Sequence, residues 1–242
     1  DDNYMLRIQN EYVESKTGQK KISNVRTEIS GLTNIHKYCK TNSIDELLGK
    51  SGIKFTRKSY FQTGQVVTYP VNQDDYNFRL SLQTEKDIPE NDEIPQILIR
   101  NWSENKKIFR YIKRFTLTHK DFPFNVDISV VKTSHKERNQ YIPEFNIQAA
   151  KVFEAPESHE LEIEVINAKV GLKTEFQSYV ELAQSLRKCI KYILCGIQES
   201  NYPISYVEYN KVLDDYMRLT KEDRYRDAMK IATKDFIGPS SY

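Results

Sequence analysis

The stretch HELEIEVIN, residues 159–167, places Glu160, Glu162 and Glu164 at every second position, with Leu161 and Ile163 between them. Side chains alternate across an extended strand, so the three carboxylates share one face, neighbours lying about 6.6 Å apart. Carboxylate oxygens at that spacing are suited to hard divalent cations. A half-buried strand with one solvated face gives the same alternation, and for the motif alone that is the commoner origin.

Other segments repeat the pattern with the opposite charge. Arg79 and Ser81 alternate in FRLSLQ, Arg110 and Arg114 share a face in FRYIKRFT, and Asp127 and Ser129 share a face in VDISVVK. Between Lys106 and Lys120 there is no acidic residue, whereas Glu154 to Glu164 holds five glutamates and no Lys or Arg. Segregation of acid and base into different strands is not what independently solvated faces require. It predicts that the charged faces line the inside of a closed sheet, with the apolar faces packed outward against helices. A tunnel with carboxylates on one wall and guanidinium groups on another suits a metal together with a polyanion.

The elements that must position these residues are mostly strands. Segments 4–13, 24–30, 53–61, 65–71, 77–83, 107–119, 125–134 and 159–166 are rich in β-branched and aromatic residues, with turn formers such as Thr17-Gly18 and Thr63-Gly64 between several of them. One short helix is expected at Asn34 to Tyr38 or at Ile44 to Leu48. From Leu172 to Ile197, and again from Val207 to Leu219 after Tyr202-Pro203, apolar residues follow helical spacing. The expected fold is therefore α+β: a closed antiparallel β-barrel of about eight strands over 4–166, with a C-terminal helical layer over 172–219, in a single domain spanning 1–242. The segment DFIGPSSY, 235–242, has the Gly-Pro-Ser character of an inter-domain joint.

Composition narrows the classes. With 38% hydrophobic residues in 242, the chain can bury a sizeable core. A net charge of +2 gives no general polycation, so any anion site must be local. Cys39, Cys189 and Cys195 are odd in number and lack CxxC spacing, which argues against disulfide stapling or structural zinc and for a reducing, cytosol-like compartment. No apolar run has the length of a membrane span. His36, His119, His135 and His159 are scattered, and none stands at ligand spacing from a cysteine. Trp102 and Tyr111 are candidates for stacking on an RNA base, although packing is the commoner fate of such rings.

HELEIEVIN, DYNFRLSL, FRYIKRFTL and FNVDISVVKTS together resemble the acidic signature strand, the basic strands and the preceding strand of the triphosphate tunnel metalloenzymes. Within that family the likeness is to the RNA triphosphatase domain of the mRNA capping enzymes of large cytoplasmic DNA viruses. SNVRTEISGLTNIHKYCKTN and NYPISYVEYNKVLDDYMRL also look like stretches of those viral proteins. The resemblance implies a metal-dependent polynucleotide 5′-triphosphatase that removes the γ-phosphate of nascent mRNA. It also implies a cytoplasmic location, in a viral factory or virion, and a guanylyltransferase domain beyond Tyr242.

On that resemblance Mn²⁺ or Mg²⁺ would be held by Glu162 and Glu164, with Glu160 orienting water. Arg79, Arg110 and Arg114 would hold phosphates, with Lys58 and Lys113 as further contributors. Asp127 is expected to support a tunnel base from behind instead of holding the metal, and Ser81 and Ser129 to fit a crowded interior. The family carries a second Glu-x-Glu pair on its first strand, and this sequence does not show one: LRIQNEYV offers Arg7, Gln9 and Glu11, and VRTEIS offers Arg26 and Glu28. Because the chain opens at Asp1, that strand is expected upstream of it. The alternatives are an enzyme of the same fold acting on nucleoside triphosphate, tripolyphosphate or thiamine triphosphate, and a degenerate, non-catalytic tunnel that binds triphosphate ends or docks a capping assembly.

Overall fold

The computed structural model describes residues 3–220 apart from 15 and 139. The strands run in chain order as β1 (Tyr4–Val13), β2 (Lys20–Ile22), β3 (Val25–Ser30), β4 (Ile53–Tyr60), β5 (Gln62–Thr63), β6 (Val66–Val67) and β7 (Val71–Gln73). They continue as β8 (Phe78–Leu80), β9 (Gln83–Ile88), β10 (Lys107–Thr118), β11 (Phe124–Thr133), β12 (Lys136–Glu137), β13 (Gln140–Tyr141) and β14 (Ser158–Val165). The helices are α1 (Leu32–Thr41), α2 (Glu93–Arg100), α3 (Tyr179–Gln198) and α4 (Tyr206–Thr220).

The main sheet is antiparallel in the order β14-β11-β10-β1-β3-β4-β9, with β2 pairing β1 beside that path. It curls into a half-barrel and stays open. The closed barrel expected from the sequence is thus corrected, and the pairing shows why. Two segments expected to complete the wall, 65–71 and 77–83, are used elsewhere: the first contributes β6, which pairs β5, and the start of β7, and the second contributes β8, which pairs β7. The strands left at the two ends of the path, β14 and β9, do not pair with each other.

The described residues form two compact units: one comprises 3–68 and Leu82–Gln177, the other Tyr69–Ser81 and 178–220. In the first unit one face of the sheet is apolar. Leu6 and Ile8 of β1, Val25 and Ile29 of β3, Phe55 of β4 and Phe109 of β10 pack with Ile35 and Tyr38 of α1 and Leu98 of α2. The helices on the apolar face are therefore these two, and α2 was not anticipated. Its Pro95 falls in the first helical turn, where the missing N–H has no intrahelical partner to lose.

In the second unit α4 packs on the turn between β7 and β8. The expected start of the C-terminal helices at 172 moves to Tyr179, because Ser178 and Glu181 form a reciprocal cap that fixes the N-terminus of α3 there. The proposed joint at 235–242 lies outside the described residues.

Candidate metal and anion site

Register turns the sequence alternation into a largely polar face on the side of the sheet away from α1 and α2, interrupted by the buried apolar pair Ile112 and Val131 between Arg110 and Arg114. Glu160, Glu162 and Glu164 on β14 stand across from Ser129, Asp127 and Asn125 on β11. Ser129 and Asp127 in turn face Arg114 and Thr116 on β10. Arg110, on the same face of β10, lies directly across from Arg7 on β1, and Arg7 across from Glu28 on β3. Arg26 and Glu28 face Thr56 and Lys54 on β4, where Lys58 also points to this side.

The acidic end is organised around Arg114. Its two terminal nitrogens donate to Asp127 at 3.0 Å and to Glu162 at 2.7 Å, and its Nε donates to Ser129 Oγ at 3.1 Å. Thr116 Oγ1 donates to the other oxygen of Asp127 at 2.6 Å, so that buried carboxylate is bound on both sides. Arg110 pairs with Glu160. Glu164 forms no ion pair among the described residues, and burial, followed by the neighbouring charges of Glu162 and Asp127, pushes its carboxyl above the usual carboxylate range.

One oxygen from each of Asp127, Glu162 and Glu164 lies within 4.8 Å of the others. That spread is compatible with three oxygens on one hard cation. The all-oxygen, net-negative donor set is of the kind that suits a hard cation. Asp127, expected to support a base, does so through Arg114 and also stands within the carboxylate cluster.

The other expected residues are placed as follows. Ser129 supports Arg114, and Lys58 is close enough to Glu164 to act on its carboxyl. Lys113 alternates to the opposite face, where its ammonium lies over Tyr4 and Phe115. Arg79 and Ser81 belong to the second unit, Arg79 being exposed on β8 across from Asn72. Trp102 is buried edge-on against Tyr38 and donates Nε1 to Asn42 O, so it packs, as does Tyr111 against Tyr4 and Phe153.

The face also contains bases outside the expected set. Arg7 donates to Glu28 at 2.8 Å, and Lys54 approaches the other oxygen of the same buried carboxylate at 3.3 Å. Arg26 makes no ion pair among the described residues, and burial first, then Arg7 and Arg110, lower its pKa. The signal for both arginines is the alternation in LRIQ and VRTE, which places them where the resemblance calls for carboxylates.

No protein-family model, curated protein or solved structure matches the chain, and no family is assigned to it by comparison.

Proposed function

We propose that the polar face is the site of a divalent-metal-dependent phosphohydrolase that removes the γ-phosphate from the 5′-triphosphate end of RNA, the opening reaction of cap formation. The observation that carries this reading is the Asp127-Glu162-Glu164 cluster with Arg114 already bonded into it. A magnesium or manganese ion held by those carboxylates would polarise the phosphoryl oxygens and offset charge developing at the β–γ bridge. Arg114 is positioned to share its donors between carboxylate and phosphoryl oxygens, and Lys58 adds positive charge beside Glu164. Glu160, fixed by Arg110, is the carboxylate assigned to orienting the attacking water.

The test is phosphate release from triphosphate-ended RNA in Mn²⁺ or Mg²⁺, together with calorimetric titration of Mn²⁺ alone. Glu162→Ala and Glu164→Ala should each abolish turnover and weaken Mn²⁺ binding; normal turnover by both variants would remove the metal assignment.

A specific observation favours a second reading, a non-catalytic site that binds triphosphate ends. The polar face of β1 presents Arg7 and Gln9 instead of paired glutamates, and β1 is flanked by β10 and β3, so a further acidic strand could join the ladder only at β14 or β9. Tight, metal-independent binding of triphosphate-ended RNA with no phosphate release would select it.

A further inference from the structure

The two strands that end the main sheet differ in character. β9 has Glu85, Lys86 and Asp87 in succession, so exposed charge stands on both of its faces and deters another chain from adding there. β14 runs for eight residues without proline, and its register with β11 is continuous from Ser158 to Val165, with no bulge to bend it away. Among the described residues its only strand partner is β11, so one side of its backbone is left without a ladder. An unblunted edge of this kind is a template for a further strand.

Both faces of β14 limit what that strand can be. On the apolar side of the sheet Leu161, Ile128 and Phe115 are successive cross-strand partners, and they remain 40%, 40% and 44% exposed. The core helices α1 and α2 cover β1, β3, β4 and the start of β10, and this row lies beyond them. On the other side stand Glu160, Glu162 and Glu164. Arg110 and Arg114 draw the first two inward from β10, and Glu164 has Lys58 near it but no ion pair among the described residues. The glutamates thus turn toward β11 and β10 and leave the backbone edge unguarded.

A second copy of the chain fits this edge poorly. Antiparallel pairing of β14 with itself in even register sets glutamate directly opposite glutamate, which destabilises the pair. A shift of one residue instead turns the apolar row of one copy to the glutamate side of the other.

We propose that the outer edge of β14 docks a partner protein, which adds an extended segment of alternating basic and apolar residues as the next strand of the sheet. Its basic side chains stand opposite Glu160, Glu162 and Glu164, and its apolar ones prolong the row of Phe115, Ile128 and Leu161. The inference is independent of the metal reading, since the carboxylate cluster forms on the inner side of β14, with Asp127 of β11.

The experiment titrates the full chain with a synthetic peptide as long as β14 that alternates lysine and valine. The controls are a peptide of the same composition with its lysines and valines in two blocks, and a glutamate-valine alternation. Hydrogen exchange read by mass spectrometry locates the contact. The alternating lysine-valine peptide should bind about tenfold more tightly than either control, because only it matches both faces along a shared backbone ladder. It should slow amide exchange over 158–165 and leave 83–88 unchanged. Leu161→Lys should remove the binding at an unchanged urea midpoint; if that midpoint falls, Leu161→Thr and Val165→Thr should each weaken binding in the folded chain. Equal binding of the block peptide, protection at β9 in place of β14, or full affinity in all these variants would overturn the docking edge. Self-association of the chain with β14 protected in the absence of peptide would assign the edge to a second copy and overturn the partner.

Discussion

The acidic end of the polar face and its basic middle are built by the same alternation on neighbouring strands, yet they differ in what their charges do. At β14 the glutamates lie on the last strand of the path, and Glu162 keeps 40% of its side-chain surface in water. In the middle, Glu28 lies between two paired strands with 2% exposure and serves two bases at once. A half-exposed carboxylate contributes little to stability and can exchange an arginine for a cation; a buried one cannot be removed without leaving its partners uncompensated. Position in the sheet separates Glu162 and Glu164 from the structural acid Glu28; Asp127, buried on β11, joins them through its register with Glu162.

The strongest challenge to that contrast is Glu28→Ala, which should cost about 3 kcal/mol in urea unfolding because Arg7 loses its buried partner. Glu162→Ala should cost less than about 1 kcal/mol in the same assay. Equal losses would erase the distinction between the two regions. Next in size, Arg114→Ala should slow phosphate release about a hundredfold, as loss of an oriented donor does. The same change should tighten Mn²⁺ binding, because the cation no longer shares Asp127 and Glu162 with a guanidinium. Weaker Mn²⁺ binding would show that Arg114 builds the cluster instead of competing for it.

A smaller effect concerns pH. The Glu164 carboxyl is raised above its ordinary value of 4.5 by burial, Glu162 and Asp127, against the opposing pull of Lys58 and Arg114. The folded chain then holds this proton more tightly than the unfolded one, so stability should fall as pH rises from about 4.5 through the raised value. Urea unfolding of the wild type and of Glu164→Gln across that window checks the sign: the decline should flatten in the variant. Mn²⁺ affinity of the wild type should rise over the same window as the ligand ionises. Smallest of all is Lys113→Ala, on the opposite face, which should change Mn²⁺ and RNA binding less than twofold by titration.

Much of the scaffold was legible. The strand over 4–13 is reproduced residue for residue, that at 107–118 ends one residue early, and those at 124–133 and 158–165 are shifted by one residue at both ends. In β1 and the first half of β10, alternation follows the apolar face that packs in the core; in β14 it persists although Leu161 and Val165 are exposed. β9 is not legible in the sequence because Glu85, Lys86 and Asp87 are poor strand formers; as the last strand of the path, it tolerates charge on both faces. Of the candidate site, the glutamates, Arg110, Arg114 and Asp127 were read from local pattern. Lys113 was grouped with them by charge alone, although its odd position puts it on the other face.

Which side chains share a face within each strand follows from local pattern alone, since the two-residue period is a property of extended backbone. The segregation of acid from base and the oxygen chemistry on offer to a cation follow from the same pattern. Which strands are neighbours does not. Pairing joined Arg114 to Asp127 and Glu162, set Arg7 against Arg110, and left β14 and β9 apart so that the sheet stays open. Closed and open sheets share the same alternation, and the choice between them rests on contacts between residues far apart in the chain, which no local pattern encodes.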